Sequence, residues 1–169
     1  MAKRLVSRVL IVVLLLLLVG CDHATKGVAK AELETGGARE LIDGLVSLRY
    51  VENTDVAFNL LRFIPEAVRF PLLLITGALA VAVLGFLLLR TRGVASLPLL
   101  ALVLVTAGAV GNYLDRVFRG YVVDFVHLKH WPVFNVADVY VTVGYAILAG
   151  WALFAKRARD RSVEQAPPM

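Results

Sequence analysis

Four long apolar stretches constrain the fold of this 169-residue chain more than any other feature. They cover roughly residues 5–21, 71–89, 94–112 and 138–155. A helix of about 20 apolar residues crosses a bilayer, and within the bilayer every backbone polar group must be hydrogen-bonded inside the protein. The sequence therefore predicts an all-α membrane protein, in which residues 1–169 form a single integral membrane domain with four transmembrane helices.

Net charge and cysteine content narrow the possible functions. Lys and Arg number 18 against 13 Asp and Glu, and 59% of the residues are hydrophobic. The basic residues collect at the ends of the apolar stretches, which is typical of membrane topology and not of a nucleic-acid-binding face. One cysteine excludes an intrachain disulfide framework, and the three histidines lack the paired spacing of a metal site. We therefore expect no nucleic-acid partner, no metal and no cofactor.

Basic clusters at the N-terminus, in the turn at 90–92 and after residue 155 predict the orientation. With four spans, all three clusters fall on one side of the membrane, and the positive-inside rule makes that side cytoplasmic. Both termini are therefore expected in the cytoplasm. The segments 22–70 and 111–138 are then expected to share the outer face.

A mixed segment at about 32–65 separates the first two apolar stretches. Gly36-Gly37 and Asp43-Gly44 are turn signals. The run LVSLRYV between them and the next stretch favours β-strands. We expect a small extramembrane β-rich element on the outer face. Its polar residues, on the simplest interpretation, belong to a solvated hairpin.

Two acidic residues mark the segment 111–138 as the candidate site. Asp124 lies in an apolar setting, VVDF, and Asp138 opens the last apolar stretch. A carboxylate at the edge of hydrocarbon is costly and indicates function by default. Two carboxylates about 4 Å apart repel by about 4 kcal/mol at an effective dielectric near 20, so they would share one proton. The ionised member can then take a proton from water while the protonated member polarises a carbonyl.

Simpler roles remain open for the same residues. Asp124 could be a loop acid paired with Lys129 or an arginine. Asp138 could be an acid in the first turn of a helix capped by Asn135. Asp115 and Arg116 are adjacent, and we favour a local ion pair at a helix end over a role in positioning the loop.

Two other protein classes compete with an enzyme. The sequence LVGC at 18–21 follows a basic start and an apolar core, as in a lipoprotein signal peptide, so the chain could be a small lipoprotein anchored through Cys21. The apolar stretches that follow favour a retained first span instead. A proton-relaying transporter is also possible, but four short spans without internal repeats, with the acids at an edge, argue against it.

Five ordered motifs carry a resemblance to a known family. They are DHATK at 22–26, NTDVAFN at 53–59, GNYLDR at 111–116, GYVVDF at 120–125 and FNVAD at 134–138. In these motifs the chain resembles lipoprotein signal peptidase, also called signal peptidase II.

The resemblance implies a membrane aspartic endopeptidase of the bacterial cytoplasmic (inner) membrane. Its substrates would be diacylglyceryl-modified prolipoproteins, cut on the N-terminal side of the lipidated cysteine, and its inhibitors would be globomycin-type peptides. The family's catalytic pair falls on Asp124 and Asp138. The residues implied to hold the site or the substrate are Asp22, Lys26, Asn53, Asn112, Asp115, Arg116 and Asn135. Membrane lipid is a further expected partner. A relative that binds lipoproteins without cutting them is the remaining alternative.

Some positions depart from the family pattern. Asp55 and Val56 replace the usual Gly-Ala, Asn59 replaces Ser, and His23 replaces Gln. A glycine at position 55 would allow a positive φ or a close approach of the backbone to the substrate. We therefore expect the departures at 55–59 to affect substrate range and inhibitor affinity more than the chemistry.

Overall fold

The computed structural model describes residues 2–55, 60–91 and 96–164. Three features singled out in the sequence therefore lie partly or wholly outside the described residues. These are the departures Val56 and Asn59, the last residue of the basic turn at 90–92, and the start of the predicted third span at 94–95.

The described residues form four helices that make up the body of the protein, and each is long and apolar enough to cross a membrane. Their bounds are α1 Ala2–Leu33, α2 Glu66–Arg90, α3 Leu97–Arg119 and α4 Val136–Glu164. Helix α1 continues through Cys21 to Leu33, well past the apolar stretch predicted at 5–21. Asp22 and Lys26 are therefore helical and one turn apart, and side chains at that spacing share one face of a helix.

Helix α3 is the centre of the bundle and is the most buried of the four. Small residues allow its close packing with α4. A Cβ added at Gly144 of α4 would lie 2.6 Å from Val105 Cγ2 and 2.8 Å from the Ala101 carbonyl oxygen of α3. Helix packing in membranes depends on such small residues. Lipid tails are as apolar as the helix surfaces, so the hydrophobic effect does not drive the helices together and close van der Waals contact must.

A three-stranded antiparallel sheet joins the two segments predicted on the outer face. It contains β1 Arg39–Ile42, β2 Val46–Asn53 and β3 Val122–Leu128, in the order β1-β2-β3. The β-rich element is confirmed. Its third strand was not predicted, because the segment 111–138 that supplies it was interpreted as a loop between spans. Because β2 pairs with β3, with Val51 opposite Asp124, the end of β2 lies beside Asp124.

A left-handed residue turns the chain from α3 into β3. Gly120 closes α3 with a φ of 84° and its N–H donates to the Arg116 carbonyl. An L-residue with a side chain is strained in this conformation, and glycine adopts it freely. The turn directs β3 back along the end of the bundle, so that Asp124 lies near the N-terminus of α4.

Candidate active site

Asn135 and Asp138 form a reciprocal cap at the start of α4. The Asp138 N–H donates to Asn135 Oδ1 (3.1 Å), and the Asn135 N–H donates to Asp138 Oδ2 (3.1 Å). This is the geometry of a capping box. The prediction that Asn135 caps the last helix is confirmed. The other Asp138 oxygen remains available for a contact outside the helix.

Asp124 is held by two side-chain amides and not by a cation. Asn53 Nδ2 donates to Asp124 Oδ2 (2.8 Å) and Asn135 Nδ2 donates to Asp124 Oδ1 (2.6 Å). The simpler alternative, an ion pair of Asp124 with Lys129 or an arginine, is not found among the described residues, because β3 turns the carboxylate toward these amides. The pKa of Asp124 is raised to about 6, chiefly by burial and also by the charge of Asp138, and the hydrogen bonds from Asn53 and Asn135 offset part of this rise.

Asn112 of α3 links a buried lysine to Asp138. Lys26 Nζ donates to Asn112 Oδ1 (3.0 Å), and Asn112 Nδ2 donates to Asp138 Oδ1 (2.8 Å). A lysine can only donate, so it fixes which end of the amide faces it and leaves the N–H end for the carboxylate. The direction of each hydrogen bond from Lys26 to Asp138 is thereby determined.

A buried ionic cluster lies behind the acid pair. Lys26 Nζ lies 2.7 Å from Asp22 Oδ2 and 2.8 Å from Asp115 Oδ2, and all three side chains are 0% exposed. Arg119 approaches the other Asp115 oxygen at 2.6 Å. The predicted ion pair of Asp115 with Arg116 is therefore wrong: the partners of Asp115 lie one helical turn away and on α1.

Asp22 connects this cluster to the start of α4. Its Oδ1 accepts the Ala137 N–H at 3.0 Å, which satisfies one of the free N–H groups of the helix end. The approach needs Gly111 on α3, since a Cβ there would lie 2.6 Å from Asp22 Oδ2. Asp22 thus fixes the position of the helix that carries Asp138.

Arg116 and Asp55 define the far side of the site. Arg116 Nη2 donates to the Asp55 carbonyl (2.9 Å), and the Asp55 N–H donates to Asn53 Oδ1 (2.9 Å). The second bond orients Asn53 so that its N–H group faces Asp124. Among the described non-glycine residues only His130 has a positive φ, so Asp55 occupies its position without the backbone freedom of a glycine.

A cleft of about 500 Å³ opens beside these groups. It is lined by Val51, Glu52, Asn53, Thr54, Asp55, Arg62, Arg69, Asn112, Arg116, Val122, Asp124, Pro132, Val133 and Asp138. Five of the nine predicted site residues line it, and the other four support them from behind. Arg62 and Arg69 were missed, because no motif marks them and only the path of the chain from β2 to α2 brings them here. A substrate carbonyl and a water in this cleft would meet two carboxylates.

Comparisons with known proteins place the chain in a family. A sequence model described as signal peptidase (SPase) II matches residues 14–154. The lipoprotein signal peptidase of Sulfurihydrogenibium sp. (strain YO3AOP1) is 38% identical over 144 residues, covering 82% of this chain and 87% of that protein. That of Streptococcus pneumoniae (strain ATCC BAA-255 / R6) is 35% identical over 144 residues, covering 84% and 91%.

Solved structures agree on the fold. A bacterial membrane enzyme determined by the in meso method at 2.3 Å resolution superposes with a TM-score of 0.75. The match covers 94% of this chain and 93% of that chain at 23% sequence identity. With the family match over most of the sequence, the chain belongs to the signal peptidase II family of aspartic endopeptidases.

Proposed function

We propose that this protein removes the signal peptide from diacylglyceryl-modified prolipoproteins, cutting on the N-terminal side of the lipidated cysteine. One observation carries the proposal: Asp124 and Asp138 line the same cleft. The names of the relatives support the substrate class. The four apolar helices and the family support a multi-pass protein of the bacterial cytoplasmic membrane.

The unequal environments of the two carboxylates support separate roles. Asp124 is buried and its pKa is raised to about 6, which favours the neutral acid. Asp138 lies in the first turn of α4, where the helix dipole favours a negative charge. Its two oxygens also accept N–H donors from Asn112 and Asn135. We infer that the reactive form of the enzyme is the one in which Asp124 carries the proton and Asp138 acts as the base, and that this form declines as the pH rises through about 6.

The reaction then follows from this proton distribution. Asp138 takes a proton from a water in the cleft, and the water oxygen bonds to the scissile carbonyl carbon. Asp124 gives its proton to the carbonyl oxygen, which leaves a neutral tetrahedral intermediate. As the C–N bond breaks, the proton on Asp138 passes to the amine of the departing cysteine and Asp124 recovers its own from the second hydroxyl.

The placement of the sheet suits a lipidated substrate. We infer that the termini are cytoplasmic and that the sheet and the cleft face outward, because the segments forming them alternate with the basic ends of the helices. The signal helix and the acyl chains of the substrate stay in hydrocarbon, and water reaches the cleft from the outer side. Membrane lipid is then a second partner, and globomycin-type peptides would compete for the cleft.

The test is cleavage of a diacylglyceryl-modified prolipoprotein by purified protein in detergent, followed by gel shift and mass spectrometry of the products. Asp124→Asn and Asp138→Asn should each lower the rate by about three orders of magnitude or more, since the residues act as a unit. Asp43→Asn is the matched control, because Asp43 is an exposed acid in the β1–β2 turn.

Three results would contradict the proposal. Substantial cleavage by either active-site variant would remove that aspartate from the mechanism. A product without the lipidated cysteine at its N-terminus would overturn the cut position. A folded wild-type protein that bound several prolipoproteins and cut none would indicate a binding relative.

A further inference from the structure

Three arginines line the cleft, and they are not equivalent. Arg62, Arg69 and Arg116 come from the segment before α2, from α2 and from α3. Guanidinium groups are suited to carboxylate recognition because their planar N–H edges can donate two parallel hydrogen bonds. The question is which of the three is available to a substrate.

Two of the arginines are occupied by Asp55 and its neighbours. Arg116 donates to the Asp55 and Asn112 carbonyls at 2.9 and 3.2 Å. Arg69 Nη1 lies 3.5 Å from the Asp55 carboxylate, and its Nη2 donates to Thr54 Oγ1 at 3.4 Å. Asp55 stands where the family pattern has glycine, so in this chain an internal carboxylate already neutralises Arg69.

Arg62, in contrast, has no carboxylate partner among the described residues of the cleft. Its side chain is exposed, and its guanidinium carbon lies 4.7 Å from the centre of the Phe63 ring. Among the described residues, no carboxylate lies within 4.0 Å of it. The aromatic contact restrains the guanidinium, and no hydrogen bond from its N–H groups to another described residue is found, so they can donate to a ligand.

The position of Arg62 indicates which part of a substrate it meets. It precedes Pro65, the N-cap of α2, so it lies in the extramembrane segment. The signal helix of a prolipoprotein stays in hydrocarbon, whereas the chain after the cut cysteine continues toward water. On the β2 side of the cleft stands Glu52, whose Oε1 accepts the Tyr50 hydroxyl at 2.9 Å. An acidic substrate residue is therefore expected to be attracted on the side of Arg62 and repelled on the side of Glu52.

We propose that Arg62 selects substrates with an aspartate or glutamate among the first residues after the cut cysteine. The inference rests on the proposed function and names a specificity residue for that reaction. Arg62 is not required for the chemistry. Because an exposed ion pair contributes little, we expect an acidic residue at the best position to raise kcat/KM about two- to five-fold over asparagine.

The experiment compares a lipidated prolipoprotein series that carries Asp, Asn or Lys at each of the first three positions after the cysteine. The enzymes are wild type, Arg62→Gln and Arg62→Glu. The Asp preference should vanish in Arg62→Gln and become a Lys preference in Arg62→Glu, and it should weaken at high salt. Arg90→Glu is the matched control, since Arg90 also stacks on an aromatic ring, Phe86, at the other end of α2.

The outcomes separate this inference from the proposed function. Suppose that wild type cuts the Asn substrates, and that the ratio of kcat/KM for the Asp and Lys substrates is the same in Arg62→Glu as in wild type. The specificity role is then overturned and the peptidase function stands. If Arg62→Glu lowers all rates equally and only in anionic lipid, Arg62 binds lipid headgroups instead. If no member of the series is cut, the proposed function itself fails.

Discussion

Two pairs of carboxylates lie within one hydrogen-bond network, and they differ in the groups that bind them. Asp22 and Asp115 are completely buried and share the ammonium of Lys26. Asp124 and Asp138 line a cleft and are held by the amides of Asn53, Asn112 and Asn135. Cations bind the first pair directly, since Lys26 contacts both carboxylates and Arg119 contacts Asp115, and these contacts fix the pair. Amides hold the second pair in place without neutralising it, so its proton stays available.

This difference explains why the acids behind the cleft cannot replace those inside it. The side chains of Asp22 and Asp115 are both 0% exposed and neither lines the cleft, so neither can exchange a proton with a substrate or a water there. Their role is to fix helices: Asp22 binds the start of α4 and Lys26 orients Asn112. The network therefore divides between a charged part that positions and an amide-bound part that can react.

Removing Lys26 should have the largest effect on stability. Lys26→Met leaves Asp22 and Asp115 buried without their shared cation. Breaking a buried ion pair in this way costs about 3–5 kcal/mol, so the free energy of unfolding in detergent should fall by that order. The measurement is denaturant or thermal unfolding of purified protein.

A triple variant sharpens this prediction. Asp22→Asn, Lys26→Met and Asp115→Asn together remove the three buried charges and leave only Arg119, which is 30% exposed, without its partner, so most of the lost stability should return. A Lys26→Met protein as stable as wild type would contradict the charged cluster. So would a triple variant that is less stable than the single one.

The free energy of unfolding and kcat/KM should both depend on pH through the titration of Asp124. The folded-state pKa of Asp124 is raised to about 6, so the folded state keeps a proton that the unfolded chain releases near pH 4. The stability contributed by the neutral acid is present at low pH and is lost as the pH rises through about 6. The loss should total about 3 kcal/mol. Over the same range kcat/KM should decline as Asp124 loses the proton that the mechanism uses.

Two variants test the assignment to Asp124. Asp124→Asn should lack this part of the pH dependence of unfolding, because the amide does not titrate. Asn53→Ala removes a hydrogen bond that lowers the pKa of Asp124, so the decline in kcat/KM should move to higher pH. A decline that stayed in place would assign the titration to another group.

The sequence predicted the acid pair of the cleft better than the buried ionic cluster behind it. Asp124, Asp138 and the helix cap by Asn135 follow from local pattern, and the family motifs include every member of the network except Arg119. The pairing of Asp115 with Lys26 could not be read from the sequence, because it joins residues on two helices and Arg116 is the adjacent cation. Strand β3 was missed because its first three residues, Val122, Val123 and Asp124, are all buried, so the strand lacks the alternation that marks a half-buried strand.

The smallest effect is expected at a third kind of carboxylate, fully outside the network. Glu32 accepts Arg39 Nη2 at 3.0 Å, a distance close to those around Lys26, but both side chains are 57% exposed. Water and salt screen such a pair, so Arg39→Gln should change the free energy of unfolding by less than about 0.5 kcal/mol. Unfolding at low and high salt measures it. If Arg39→Gln cost as much as Lys26→Met, distance alone would govern these ion pairs, and burial would not explain the contrast between the cluster and the cleft.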